Sequence, residues 1–197
     1  MSGSSPGDTA ARYRRVAGVF TQRVEAVPAG GWARPSPCEG WQAKDVVRHL
    51  VEWVPAFFAD AGGPVLPAAP PSEGDPAGAW RALDTAIQAV LDDPDRAGSQ
   101  VDHPYVGRRR FDEAIGQFVL PDVFIHTWDL ARATGQDETL EPAMVHELLA
   151  GMEPLDEMLR ASGQYGPRVE VPAGADEQTR LIAFTGRRPW PEAPGSW

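Results

Sequence analysis

Two segments of this chain share one five-residue frame: DVVRH (residues 45–49) and DVFIH (residues 122–126) each set an Asp four residues ahead of a His. On a helix, residues four apart share a face, so each carboxylate can reach its own imidazole. Imidazole and carboxylate are the donors from which zinc, nickel and iron(II) sites are built. Glu52 follows His49 by three residues and lies within the same reach. Two imidazoles from different helices plus one carboxylate would make a three-ligand centre. Such a centre keeps a position open for water or substrate, as catalytic metal sites require. A plainer reading stands beside it: a helical His is commonly a packed, hydrogen-bonded residue, and an Asp–His pair one turn apart can be a local hydrogen bond. Asp45 reads better as a charge in the first turn of its helix, where the dipole favours a carboxylate. No Glu-x-x-His pair recurs on two helices, so a dinuclear centre is not expected.

The elements that must position these groups follow from hydrophobic spacing. Val119, Asp122, His126, Leu130 and Ala133 recur every three or four residues, apolar except for the Asp and the His. That stripe faces inward, where an unpaired carboxylate is costly. The spacing predicts a helix from Phe111 to Thr134 that stops at Gly135, a favoured left-handed terminator. A helix capped by Asp8 or Thr9 runs to Val27, and another spans Gln42 to Ala61 with Pro55 inside it. A third opens with Asp75 as cap and Pro76 at its first position, and a fifth spans Pro142 to Gly163, with Pro154 as a break point. Residues 28–41, 61–74 and 93–110 read as loops. The segment PRVEVP (167–172) alternates like a short strand, and 176–186 reads as a short capped helix. The expectation is an all-α protein: a helical bundle over residues 1–163 with a short extension, 164–197, packed on it.

Composition narrows the function classes. The 197 residues carry a net charge of −10, which argues against nucleic acid and against an anionic membrane surface as partners. No apolar run approaches the ~20 residues that span a bilayer, and the N-terminus lacks a hydrophobic signal region. A single cysteine, Cys38, excludes an internal disulfide. A cytoplasmic protein is expected, as monomer or homodimer.

Three segments carry a resemblance: PSPCEGWQAKDVVRHL (35–50), FIHTWDLARATG (124–135) and VPAGADEQTRLIAFTGRRPW (171–190). Together they resemble signature segments of the actinobacterial mycothiol-dependent maleylpyruvate isomerase-like family, within the DinB/YfiT superfamily. The likeness runs from about residue 10 to 190. It implies a DinB/YfiT-like four-helix bundle holding a divalent metal, zinc first, with nickel and iron as alternatives. The metal ligands it implies are His49, Asp122 and His126, with Asp122 standing where the isomerase has Glu. It also implies mycothiol as a cofactor, although the tail here is shorter than the isomerase's second domain, so maleylpyruvate isomerisation itself is not carried over.

The expected activity is therefore that of a metal-dependent thiol transferase or isomerase acting on a small molecule, with Glu52 as proton acceptor. The alternatives are a thiol-independent enzyme tailoring a metabolite on the same scaffold, and a non-catalytic small-molecule-binding module. Arg108 and Arg109, from the run Arg108–Arg110, are candidates for holding an acidic substrate or a cofactor carboxylate, and Trp128 for lining the pocket. His103 and Tyr105 in the same loop are weaker candidates. Cys38 reads as a small residue closing its loop, Trp41 as packing near the bundle end, and His146 as a surface residue. Asp129 is expected to pair with Arg132, or alternatively to hydrogen-bond a ligand imidazole.

Overall fold

Four apolar stripes at helical spacing have only one another to pack against, and in the computed structural model they do so. The structure describes residues 6–190 except Tyr105, Ser162 and Gln164. Helices α1 (Pro6–Glu25), α2 (Ala43–Asp60), α3 (Pro76–Leu91) and α6 (Leu120–Thr134) form the bundle. α1 packs on α3 and α6, and α2 packs on the same two, so α1 and α2 are diagonal. Tyr13, Phe20, Leu50, Phe58, Trp80, Leu83, Ile87 and Leu130 are fully buried between them. The all-α expectation holds.

Local signals act as read. Asp75 caps α3 through the backbone N–H of Gly78 (2.8 Å), and Gly135 ends α6 at φ 74°. Asp45 accepts from the backbone N–H of Gln42 at 2.8 Å, closing a capping box at the head of α2. α2 continues through Pro55 to Asp60. α1 begins earlier than expected, at Pro6, which leaves Asp8 inside its first turn rather than at the cap.

Two readings, one of a loop and one of a strand, are corrected. Residues 93–110 hold a short helix, α4 (Pro94–Ala97), capped by Asp93, and a hairpin of β1 (Gln100–His103) and β2 (Gly107–Arg110). The strands are antiparallel, in the register Val101↔Arg109 and Asp102↔Arg108. Gly107, at φ 72°, supplies the left-handed turn residue. PRVEVP forms no strand: Pro167 and Pro172 cannot donate, and Val169 instead gives its N–H to the carbonyl of Ala183 (3.0 Å).

The run from Phe111 to Thr134 is helical throughout but not uniform: α5 (Phe111–Ala114) passes through a π-helical turn at Ile115–Val119 into α6. Pro121 explains the wider turn. It has no N–H, and its ring would press on the carbonyl four residues back. The backbone widens ahead of it, with Leu120 N–H reaching the carbonyl of Ile115.

The chain divides into two compact units, Met1–Glu138 and Thr139–Trp197. The boundary expected at 163/164 falls inside the second, because α7 (Pro142–Met152) packs on α9 (Glu177–Phe184) rather than standing apart from the tail. A 3-10 turn over Glu153–Leu155, containing Pro154, leads to α8 (Asp156–Ala161). Asp176 caps α9 through Thr179 N–H at 2.9 Å.

One core position carries a stability prediction. On α1 the Tyr13 hydroxyl is buried beside Asp84 of α3, without a hydrogen bond of good geometry. Burial pushes the Asp84 carboxyl above its ordinary value of 3.8, with the nearby hydroxyl pulling the other way. A carboxyl raised in the folded state favours folding while protonated, and that contribution is lost as pH rises through the folded value. Asp84→Asn is neutral at every pH. Thermal denaturation should show it melting above the wild type at pH 7, the gap closing below about pH 4.

Candidate metal centre

α2 and α6 are neighbours in the bundle, and each presents a polar interruption of its inward stripe to the other. α2 brings His49 and, one turn on, Trp53; α6 brings Asp122, His126 and Asp129. His49 Nε2 lies 3.1 Å from one Asp122 carboxylate oxygen, and His126 Nε2 lies 3.4 Å from the other. The three potential ligand atoms all fall within 4.8 Å of one another. The imidazole rings meet edge to face, 5.0 Å between centroids. Burial is graded across the trio: side-chain exposure is 4% for His126, 27% for Asp122 and 33% for His49. The cluster is closed at its His126 side and open at His49.

Neighbouring groups hold these donors in place. The carboxylate of Asp129 is wholly buried, 2.8 Å from His126 Nδ1. An ionised carboxylate only accepts, so Nδ1 carries the proton and Nε2 faces Asp122. The same relation orients ligating histidines in metal proteins. Trp53 donates its indole N–H to Asp122 Oδ2 at 2.9 Å. Trp41 covers both imidazoles, 5.2 Å from His49 and near-parallel to His126 at 5.9 Å and 22°.

Charge is paired across the site. For His126, burial works against the charged form, but the Asp122 charge and hydrogen bonds from the ring to Asp122, Asp129 and Cys38 outweigh it, and its pKa stands well above the ordinary 6.5. For Asp122, burial works upward, yet the His126 charge and hydrogen bonds from both imidazoles hold its pKa well below 3.8. The resting pair is imidazolium and carboxylate. A cation held by these donors would have to displace the His126 proton, so its uptake would release protons and weaken as the pH falls.

The structure thus brings His49, Asp122 and His126 together. Glu52 is not with them: it is exposed on α2 and belongs to neither group of candidate ligand atoms among the described residues. Trp128 is 1% exposed, buried in the core beneath the Arg132 guanidinium (4.6 Å to its ring), so it lines no open pocket. Arg132 forks onto Glu138 while Asp129 serves His126, which corrects the expected Asp129–Arg132 pairing. Arg108 pairs with Asp102 at 3.2 Å and Arg110 with Asp112 at 2.9 Å. Tyr105 lies outside the described residues. His103 stacks on Phe57, and His146 is exposed, paired with Glu177 at 2.9 Å.

Three participants escaped sequence reading. Trp53 had a usable signal, since it follows His49 by one turn. Trp41 and Cys38 had none. The Cys38 thiol lies 3.5 Å from Asp129 Oδ2, and with His126 and Asp129 it forms a second group of candidate ligand atoms within 4.8 Å. Only folding sets this loop cysteine against α6.

Replacing Asp129 by Asn tests its hold on His126. The amide is nearly isosteric, but it no longer forces the proton onto Nδ1. Zinc affinity, measured by competition with a chromogenic chelator, should fall about 10- to 100-fold while the helical circular dichroism is kept.

Comparison with known proteins places the chain among relatives. Residues 13–131, well over half of it, match the family described as mycothiol maleylpyruvate isomerase N-terminal domain. Two proteins of Mycobacterium tuberculosis, from strains CDC 1551/Oshkosh and H37Rv and both titled uncharacterized, are each 28% identical over 181 residues. That alignment covers 89% of this chain and 95% of each relative. No solved structure matches the chain.

Proposed function

Because the chain belongs to the mycothiol maleylpyruvate isomerase N-terminal domain family, we propose that it is a divalent-metal-dependent enzyme of the thiol transferase or isomerase type. It acts on a small molecule, with zinc as the metal and mycothiol as the thiol. One observation carries this reading: His49, Asp122 and His126, from two separate helices, set three donor atoms within 4.8 Å while Asp129 fixes the far nitrogen of His126. A structural Asp–His pair needs no second imidazole and no buried carboxylate behind it.

The donor set suits zinc, two imidazoles and one carboxylate being a common catalytic combination. When bound, the cation would lower the pKa of a thiol sulfur and supply a thiolate nucleophile at neutral pH. The chain's own residues prepare for that. Asp129 holds Nδ1 of His126, which keeps Nε2 turned toward the centre. The Trp53 indole N–H fixes the carboxylate rotamer of Asp122. Trp41 excludes water from the faces of both imidazoles. Thiol and substrate would enter past His49, the most exposed of the three ligands.

The test is direct. Protein dialysed against zinc and then buffer should retain about one equivalent, and the His49→Ala protein should retain none. Mycothiol should give a calorimetric binding signal with the zinc-loaded protein and none with the metal-free protein. Failure to bind zinc, nickel or iron(II) at micromolar concentration overturns the proposal. Zinc binding with no response to mycothiol leaves a metal enzyme that works without a thiol.

A further inference from the structure

A row of half-buried rings leaves the candidate centre along α2. His49, Trp53 and Phe57 are spaced one turn apart, with centroids 6.0 and 5.9 Å from one ring to the next. Phe57 then meets Phe118 of the π-helical turn at 5.8 Å and stacks on His103 of β1 at 4.6 Å. The other large apolar side chains of α2, including Leu50, Val54 and Phe58, are buried. These rings are not, so a continuous aromatic strip runs from the donor cluster toward the hairpin. Eight helical residues separate His49 from Phe57, a rise of about 12 Å.

Arg109 stands at the far end of the strip, its guanidinium 5.0 Å from the Phe118 ring centroid. It is held by neutral acceptors, the side-chain oxygen of Gln117 and the carbonyl of Val106. Its two neighbours in sequence each reach a carboxylate, Arg108 to Asp102 and Arg110 to Asp112. Among the described residues Arg109 has no anionic partner, and its buried Nε has no hydrogen bond. In a chain of net charge −10, a positioned guanidinium without a carboxylate is conspicuous. Neutral acceptors that fix its orientation without neutralising it preserve its charge for a ligand.

We infer that this strip is the substrate channel of the same site, and that it takes a small molecule with a flat aromatic or conjugated body and a terminal carboxylate, which Arg109 receives. The inference rests on the metal-centre reading for the position of the reacting end, but the recognition by Arg109 and the rings stands on its own. Stacking against Trp53, Phe57 and Phe118 holds the body. The carboxylate sets the direction, placing the opposite end at His49, Asp122 and His126. Arg109 is thereby a specificity-determining residue, distinct from the solvated Arg108.

Two probe pairs separate this inference from the function it deepens. The first is 4′-(mercaptomethyl)biphenyl-4-carboxylic acid against its carboxamide, titrated into zinc-loaded protein and followed by tryptophan fluorescence. The second is biphenyl-4-carboxylate against biphenyl-4-carboxamide, titrated into metal-free protein. In both pairs the carboxylate should bind about tenfold or more tightly, as a charge-assisted pair allows. Arg109→Gln should abolish that preference, Arg109→Lys should keep part of it, and Arg108→Gln should keep all of it. Equal binding of acid and amide in the second pair overturns the inference, as does equal loss of preference in the Arg108 and Arg109 variants, which would mean diffuse charge. A preference in the second pair with no zinc uptake sinks the metal reading alone.

Discussion

A His126→Ala variant is expected to lose divalent-metal binding and a large share of its stability together. The imidazole is the most enclosed of the three donors, and it touches a carboxylate on each side: Asp122 at 3.4 Å and Asp129 at 2.8 Å. Removing it takes away one donor of three, so zinc affinity should fall well beyond the ~100-fold that loss of an orienting partner produces. It also takes the closest partner from the Asp129 carboxylate, which is wholly enclosed and keeps the more distant Cys38 thiol at 3.5 Å. Breaking a buried charged pair by deleting one partner typically costs about 3–5 kcal/mol. Urea denaturation of the metal-free proteins would register that loss, and chelator competition the first. Because such a variant can unfold, His49→Ala supplies the separating case. His49 is a third exposed, and its removal leaves the His126–Asp129 pair intact. That variant should fold nearly as well as wild type and still bind no zinc. Retention of full zinc affinity by the folded His49→Ala protein would show that no shared centre exists.

The second large effect lies in the core, far from any chemistry. Trp80 on α3 is fully buried, lies edge to face with Phe20 at 4.6 Å, and donates its indole N–H to Thr21 Oγ1 at 2.8 Å. It ties α3 to α1 by packing and by a hydrogen bond at once. Trp80→Ala leaves a large cavity and removes both the aromatic pair and the hydrogen bond to Thr21. Truncations of this kind destabilise by about 3–5 kcal/mol, a large share of the 5–15 kcal/mol typical of whole domains. Chemical denaturation should report a loss of that size. Trp80→Phe keeps the ring contact and should recover much of it. Residual zinc affinity in whatever Trp80→Ala protein remains folded should match wild type, since neither Trp80 nor its partners touch the centre.

Much of the bundle was legible because its signals are local. The stripes of α1, α2, α3 and α6, the Asp75 and Asp176 caps, the Asp45 charge and the Gly135 terminator each depend on residues within a turn or two. The hairpin at Gln100–Arg110 was not legible, because its pattern is too short to rise above a loop and it is secured by an Asp102–Arg108 pair visible only once the strands align. The π-helical turn was hidden for a similar reason: Pro121 announces trouble for the helix, but only packing decides whether the chain breaks or widens. The candidate metal ligands were found through repeated Asp–His spacing and through resemblance. Their orienting partners were largely missed, since Asp129 had an equally good local suitor in Arg132 and Cys38 had none.

The amino-acid sequence by itself determined which faces of the helices would be buried and which polar groups would go in with them. It placed an Asp and a His one turn apart on the helix that became α6, and a His on α2, because helical periodicity leaves no other arrangement of an apolar stripe. Only the tertiary structure decided that these stripes meet side by side, which carboxylate serves which imidazole, and which arginine of three consecutive ones has no acid among the described residues. Those outcomes depend on pairs far apart in the chain, such as His49 with Asp122 and Cys38 with Asp129. Their distances are set by how whole helices and loops pack, and no local preference encodes them.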